Sequence, residues 1–240
     1  MLADRVRMGS IGSIELGPGS PKLIAGDMNT GFFGEVPASE LFTASEIASA
    51  CGITQGTAQH ENEPWLKFAL DGKIIYIPRK PIRHSISWNS INAANCIYGA
   101  KTVTIGGLTY IVRLMKGALT DPSSYGTSDK GAHGSVWNRL MLPIHEQTID
   151  KSWAYSEYVE DDIPIWNHNL GTGANGMYTD ADLMTQQNQG SGSHNWCQEI
   201  YGENSAYRII RGRLGVTYLG SELPSSAYAN YGWRPVLELV

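Results

Sequence analysis

Six histidines are the side chains in this 240-residue chain best suited to bind a metal ion or to move a proton. They are His60, His84, His133, His145, His168 and His194. A helical metal site needs a His-x-x-x-His pair, and a nucleophilic site needs a recognisable motif around the nucleophile. Neither pattern occurs, so the sequence predicts no metal site, no cofactor and no catalytic residue.

Other polar residues have a structural interpretation beside a chemical one. His145 and Glu146 follow a predicted helix, which favours surface polarity over a catalytic base. Arg211 and Arg213 lie two residues apart in a predicted strand and could bind an anion. Ion pairing with Asp or Glu inside the fold is the commoner arrangement for such arginines, and we expect it here.

The three cysteines, Cys51, Cys96 and Cys197, are far apart in the sequence. An odd number without a C-x-x-C motif is typical of neither a disulfide framework nor a zinc site. We therefore expect buried, reduced thiols, which behave as small apolar side chains in a core.

Aromatic residues are dense between about residues 145 and 205, with Asn, Ser and Gly between them. Indole and phenol rings stack on sugars and anchor protein interfaces with little loss of entropy. Trp153, Tyr155, Tyr158 and Trp166 are therefore the candidate binding residues. The alternative is that a long loop region needs its own aromatic core, in which some of these rings are buried.

The composition limits the classes of protein that fit. Charged residues make up 17% of the chain and hydrophobic residues 42%, and the formal net charge is −5 without a basic run. Nucleic-acid binding therefore lacks its electrostatic footprint. No apolar run approaches the length of a membrane span, so we expect no membrane insertion. Few charges with many Gly and aromatic residues favour strands and long ordered loops that bury surface in an assembly.

Two β-hairpins are predicted, at residues 66–77 around Asp71-Gly72 and at residues 102–112 around Gly106-Gly107. Two-residue loops of this type fix the register of the flanking strands. Alternation of apolar and polar residues predicts an antiparallel sheet with one buried and one polar face. The predicted cross-strand pairs are Leu66 with Ile77, Phe68 with Ile75, Val103 with Tyr110, Thr104 with Thr109 and Ile105 with Leu108.

Hydroxyl side chains mark the predicted helix starts. Thr43 and Glu46 have the spacing of a capping box, and Gly52 stands where a helix-terminating glycine belongs. Ser87 and Ser135 precede two further predicted helices. The closing segment 231–240 alternates as a strand, and residues 207–212 predict a partner strand for it. Strands near residues 207–218 and 232–239 are expected to pair with the hairpins.

The chain is predicted to divide at residue 64. Residues 1–64 would form an N-terminal arm and a short helix for attachment to a particle, because the apolar residues up to about residue 40 are too sparse for a core of their own. The alternative is an N-terminal strand that packs on its own domain. Residues 65–240 would form the second unit.

Four segments carry a resemblance to a known fold. They are Trp137-Asn138-Arg139-Leu140, Asn195-Trp196-Cys197-Gln198-Glu199, Ile209-Ile210-Arg211-Gly212 and Gly232-Trp233-Arg234-Pro235-Val236-Leu237. In this order they resemble the C-type lectin-like fold, in the variant shared by formylglycine-generating enzymes and many tailed-bacteriophage virion proteins. The resemblance covers about residues 65–240. It implies an α+β domain with antiparallel hairpins, two or three helices and long ordered loops.

The phage branch of this family is the one that the sequence resembles most. Asp71-Gly72-Lys73, Ser87-Trp88 and Val136–Arg139 are similar to tail or head-appendage proteins. The resemblance implies a non-enzymatic virion protein, made in the host cytoplasm, that contacts other virion proteins and itself. Its lectin-like domain would bind a host-surface glycan or protein, or mediate subunit contacts.

Two alternatives accompany this hypothesis. One is a capsid or tail decoration protein without receptor binding. The other is a formylglycine-generating-type oxidase, which needs paired cysteines to hold copper, whereas Cys197 has no near partner in the sequence. Calcium binding through Asp161, Asp162 and Asn167 fits the oxygen chemistry of calcium, but solvated loop acids are the commoner arrangement.

Overall fold

The computed structural model describes residues 16–123, 135–145, 177–185, 191–213, 215–216 and 218–240. These residues form two β-sheets and a few short helices, so the fold is α+β and mainly β. The α+β class predicted from the sequence is confirmed at this level. No helix in these ranges is long and apolar enough to cross a membrane.

The strands and helices follow one another along the chain with short connections at both hairpins. The strands are β1 (Ala25–Gly26), β2 (Thr30–Val36), β3 (Thr57–Ala58), β4 (Trp65–Leu70), β5 (Lys73–Pro78), β6 (Arg83–His84), β7 (Tyr98–Ile105), β8 (Leu108–Arg113), β9 (His194–Ile200), β10 (Arg208–Arg211), β11 (Leu219–Glu222), β12 (Tyr231–Trp233) and β13 (Val236–Leu239). The helices are α1 (Ala44–Cys51), α2 (Trp88–Ala93), α3 (Val136–Met141), α4 (Asp180–Leu183) and a single 3-10 turn at Ala38–Glu40.

The predicted helix starts are confirmed. The Thr43 side chain accepts a hydrogen bond from the Glu46 amide, and the Glu46 carboxylate accepts one from the Thr43 amide, which completes the capping box of α1. Ser87 and Ser135 cap α2 and α3 in the same way through their hydroxyl groups. Gly52 ends α1 with a φ of 75°, a left-handed conformation that costs glycine little.

The first sheet has the strand order β1-β2-β4-β5-β13-β8-β7, and all its neighbours are antiparallel. It contains both predicted hairpins with the predicted cross-strand pairs. β13 lies between the hairpins, so that Leu237 is opposite Tyr76 on one side and Val112 on the other. The second half of the closing segment, β13, therefore pairs with both hairpins as predicted.

The first sheet is buried on both faces in its centre. Tyr76 and Leu237 on one face share a core cluster with α1, and Phe68 and Val236 on the other face share one with α3. The prediction of one polar face is therefore wrong for the first hairpin, because short helices cover the second face. A polar face occurs only in the second hairpin, β7–β8, where Thr104 is exposed.

The second sheet has the order β11-β10-β9-β12-β6-β3. β12 runs parallel to β9 and antiparallel to β6, whereas β10 lies between β9 and β11. The predicted pairing of residues 207–212 with the hairpins is therefore wrong. The closing segment is also two strands rather than one. Pro235 has no amide hydrogen for a continuous ladder, and the chain passes there from the second sheet to the first.

The described part of the N-terminal region packs on its own chain. β2 pairs with β4, and Val36 is fully buried. Upstream, the Tyr76 hydroxyl donates to the Leu16 carbonyl at 3.1 Å, and the Lys67 ammonium donates to the Ser20 carbonyl at 2.9 Å. From residue 16 onward the chain thus follows the alternative of a segment packed on its own domain. Residues 1–15 lie outside the described residues, and an arm there that attaches to a particle stays a prediction.

We predict that Leu237→Ala lowers the free energy of unfolding by about 2–5 kcal/mol, because it leaves a cavity at a fully buried site in the centre of the first sheet. Val240→Ala, three residues further on, is the matched control because its side chain is 77% exposed. Chemical denaturation of both variants measures the difference. Equal stability of the two variants would contradict the central position of β13.

Candidate functional site

A shallow groove of about 330 Å³ lies beside the turn between β4 and β5. The groove is lined by residues from β5, β13, β8 and β7 of the first sheet, from β9 of the second sheet and from the start of α3. The polar and aromatic side chains that line it are Asp71, Lys73, Tyr98, Arg113, Lys116, Gln198 and Glu238. Three of these are cations and two are carboxylates, so the groove has a small excess of positive charge.

Strand register places the charged residues of the groove on one face. Glu238 is opposite Ile75 of β5 and opposite Ile111 of β8. Side chains two residues apart on a strand share a face. Lys73 and Arg113 therefore stand on either side of Glu238, each one diagonal step away.

The Glu238 carboxylate bridges these two cations. One oxygen accepts a short hydrogen bond from the Lys73 ammonium, and the other accepts one from Arg113 Nε at 3.1 Å. Burial raises the pKa of Glu238, but the hydrogen bonds and charges of Lys73 and Arg113 outweigh it and lower the pKa. Glu238 is therefore ionised at neutral pH and holds both cations in fixed positions.

Asp71 at the hairpin turn is held by α3. Arg139 donates to both oxygens of the Asp71 carboxylate, at 3.0 and 2.7 Å. The hydrogen bonds of Arg139 lower the pKa of Asp71 below its usual value. Both carboxylates of the groove are thus neutralised within the fold, whereas exposed Lys116 has no ion-pair partner among the described residues. A bound negative group would meet an available positive charge at Lys116.

Tyr98 is the aromatic surface of the groove, with 56% of its area exposed. Its ring meets Trp88 edge-on, with centroids 6.3 Å apart, and its hydroxyl donates to the Gln198 carbonyl at 3.2 Å. These two contacts hold the ring while leaving much of it open. A fixed, exposed ring beside polar groups is the arrangement that stacks on a sugar or anchors a protein contact.

Two buried histidines away from the groove have partners within the fold. His145 Nε2 lies 2.8 Å from an Asp180 carboxylate oxygen, and both side chains are buried. The interpretation of His145 as surface polarity is therefore wrong, because the residue ends the α3 segment inside the core. His194, between Ser193 and Asn230, has its pKa lowered to about 4 by burial and by the charge of Arg213, so it is neutral at neutral pH.

Arg211 is fully buried, and the contacts of its guanidinium connect several elements of the fold. Its guanidinium donates to the carbonyls of Tyr218 and Gly117, both at 2.8 Å, and to the Asn138 side chain at 2.7 Å. The guanidinium also lies 5.4 Å from the centre of the Trp137 ring. Arg211 therefore connects β10 to the segment that leads into α3.

Gly117 lies between Arg211 and a buried acid, Glu199. Its amide donates to Glu199 Oε2 at 3.0 Å, while its carbonyl accepts from Arg211. A Cβ atom at Gly117 would lie 2.6 Å from the Cys197 sulfur, which leaves no room for any other residue. Burial raises the pKa of Glu199 from its ordinary value of 4.5 to about 7, despite the hydrogen bond from Gly117.

The raised pKa of Glu199 predicts a loss of stability between pH 4.5 and 7. Below this window both states hold the proton, whereas within it the unfolded chain releases the proton and the folded chain keeps it. The cost grows to about 3 kcal/mol above pH 7. Glu199→Gln removes the ionisation, so its stability relative to the parent protein should rise across the window. Denaturation at a series of pH values measures this difference, and a difference that does not change with pH would contradict the shift.

Several residues singled out from the sequence lie outside the described residues. They are the candidate binding residues Trp153, Tyr155, Tyr158 and Trp166, the calcium candidates Asp161, Asp162 and Asn167, and two histidines, His133 and His168. Their roles stay predictions. The expectation of buried, free thiols is confirmed for Cys51, Cys96 and Cys197. In the part of the chain that the structure describes, no three His, Cys, Asp or Glu residues are grouped to hold a metal ion.

The sequence reasoning missed Tyr98. It lies outside the aromatic-rich region, at the first position of β7, and its only local signal is the glycine that follows it. Its contact with Trp88 comes from the preceding helix α2, whereas its contact with Gln198 comes from β9, 100 residues further along the chain. Comparisons of the chain with protein-family models, with curated proteins and with solved structures found no match.

Proposed function

We propose that this chain is a non-enzymatic structural protein of a tailed-phage virion, with a C-type lectin-like domain that binds a host-surface glycan through the Tyr98 groove. The sequence resemblance supports the virion and lectin-like parts of this proposal. The observation that carries the binding role is the exposed ring of Tyr98, held beside the Lys73–Glu238–Arg113 ion pairs.

The groove offers the two kinds of contact that sugars need. The flat ring of Tyr98 can stack on the apolar face of a pyranose, because both surfaces are weakly hydrated. The fixed cations Lys73 and Arg113 and the Gln198 side chain lie around it and can meet hydroxyl groups. Because its ion pair with Glu238 already holds the largely enclosed Arg113 side chain, binding through Arg113 loses little side-chain entropy.

The charge of the groove favours an acidic glycan. Asp71 and Glu238 are paired within the fold, and Lys116 adds an exposed ammonium. A sugar carboxylate or phosphate at this position would gain a charge-assisted hydrogen bond. Acidic surface polysaccharides are therefore the ligand class that we propose.

The oxidase alternative gains no support from the cysteines. Cys197 is fully buried, and burial raises its pKa well above the usual value, so its thiol is neutral. Its ionic neighbours are Glu199 and Arg211. Cys51 and Cys96 lie elsewhere in the core, at α1 and before β7.

We predict that Tyr98→Ala weakens binding to an acidic bacterial polysaccharide by about 30-fold, the loss expected for an anchoring aromatic residue. Tyr228→Ala is the matched control, because Tyr228 is a tyrosine outside the groove with 69% of its area exposed. Isothermal titration against a panel of purified surface polysaccharides measures both, and thermal melts confirm that the variants are folded.

The outcomes separate the proposed function from its alternative. Equal binding by the Tyr98 and Tyr228 variants would exclude the Tyr98 groove as the binding site. No binding by the parent protein to any acidic polysaccharide would exclude the proposed glycan receptor role. Mass spectrometry of purified particles then tests the virion assignment independently. A chain that is present on particles but binds no glycan is left with protein contacts, either to a host-surface protein or to other subunits as a decoration protein.

A further inference from the structure

Arg234 lies between β12 and β13 with most of its hydrogen-bonding capacity unused. Its side chain is only 1% exposed, and its Nε donates to the Pro78 carbonyl at 2.9 Å. The two terminal nitrogens, Nη1 and Nη2, are also buried, and neither has a hydrogen-bond partner in the described part of the chain. These two nitrogens carry all but one of the N–H donors of a guanidinium. Most donors of this buried cation are therefore unmatched.

The acids of this region are bound to another arginine. Among the described residues, Arg234 takes part in no ion pair. The charge of Glu63 acts on Arg234, but the Glu63 carboxylate accepts a hydrogen bond from Arg79 Nε at 2.6 Å. Arg79 Nη1 in turn donates to Glu35 at 2.9 Å. Neither carboxylate is left to meet the terminal nitrogens of Arg234.

The backbone around Arg234 encloses it on several sides. The Ile82 amide donates to the carbonyl of the residue before Arg234 at 3.1 Å, so residues 78–82 are bonded to the crossing at both of their ends. The turn at residues 59–64 holds this segment in turn, because the Gln59 amide donates to the Ile82 carbonyl at 3.0 Å. The guanidinium is thus held under two layers of chain rather than at the surface.

Arg234 keeps its charge in this enclosed position. Its pKa, lowered by burial to about 9, is still above neutral pH. His60 of the covering turn adds no charge, since burial lowers its pKa below the usual value, and its Nε2 is another buried nitrogen without a hydrogen-bond partner in the described ranges. A cation taken out of water without a partner costs much free energy, so a counter-charge at Arg234 would be strongly favoured.

We propose that Arg234 binds a small monovalent anion of the size of chloride, as a structural ion of the crossing between the two sheets. Nη1 and Nη2 form the planar fork with which arginine binds anions, and the bond from Nε to Pro78 fixes its direction. One negative charge matches the guanidinium, whereas the second charge of a sulfate would itself be buried without a partner. The ion enters as β12 and β13 dock, because the folded chain encloses the site.

An ion that binds only the folded chain raises the melting temperature by mass action. In the unfolded chain Arg234 is in water and has no fixed fork to offer. Each tenfold rise in chloride above its dissociation constant should therefore raise the melting temperature by about 3–5 °C. Gluconate, a monovalent anion too large for an enclosed site, should have no such effect.

The solution test uses the full chain, melted while chloride replaces gluconate at constant ionic strength. We expect the melting temperature to rise with chloride in the parent protein and in the Arg213→Met variant, the matched control at an exposed arginine. Arg234→Met, which keeps the length of the side chain and removes the charge, should lose the chloride dependence. An equal chloride dependence in the Arg234 variant, or a parent protein that responds equally to both anions, overturns the proposal.

A crystal of the parent protein grown with sodium bromide locates the ion directly. We expect an anomalous bromide peak within hydrogen-bonding distance of Nη1 or Nη2 of Arg234. Water alone at these nitrogens, without an anomalous peak, would show that the guanidinium is hydrated rather than ion-bound and would overturn the proposal. This measurement needs no variant, so it decides the question even if Arg234→Met fails to fold.

Discussion

The passage of residues 231–239 from one sheet to the other is the constraint on which the rest of the structure depends. β12 lies between β9 and β6 in the second sheet, and β13 lies between β5 and β8 in the first. Arg234 at the crossing is fully buried, and its Nε donates to the Pro78 carbonyl at the end of β5. Burial lowers the pKa of Arg234 to about 9, because the guanidinium at the crossing is enclosed by the fold. A shift in the crossing would disturb both sheets together.

The groove is a consequence of the same crossing. Glu238 reaches its position between two cations because β13 enters the middle of the first sheet rather than its edge. Tyr98 and Gln198 then bring one residue from each sheet to the groove. The ion pairs of the groove therefore depend on the strand order of the first sheet. The position of the Tyr98 ring depends on how closely the two sheets lie at this point.

Local chemistry made part of this fold predictable from the sequence. A two-residue turn such as Asp71-Gly72 fixes strand register, and a hydroxyl on the residue just before a helix fixes the helix start, so both follow from neighbours in the chain. The sheet to which a strand belongs is set by distant partners. Apolar alternation continues through Pro235 although the ladder does not, and for that reason the closing segment was predicted as one strand.

The candidate site was less predictable, for the same physical reason. Nothing near Tyr98 in the sequence indicates exposure, since it is determined by Trp88 and by the second sheet. Prediction of the ion pairs of Glu238 requires knowledge of where β13 lies in the first sheet, and no local sequence pattern gives that position.

The crossing also has a consequence for biosynthesis. β13 is the last described strand to leave the ribosome, yet the hairpins that it separates are made much earlier. Until it arrives, β5 and β8 expose unpaired edges to other nascent chains, the condition under which strands join wrongly. Contacts between such distant segments also make folding slow. We therefore expect this chain to complete its fold only after synthesis of residue 239.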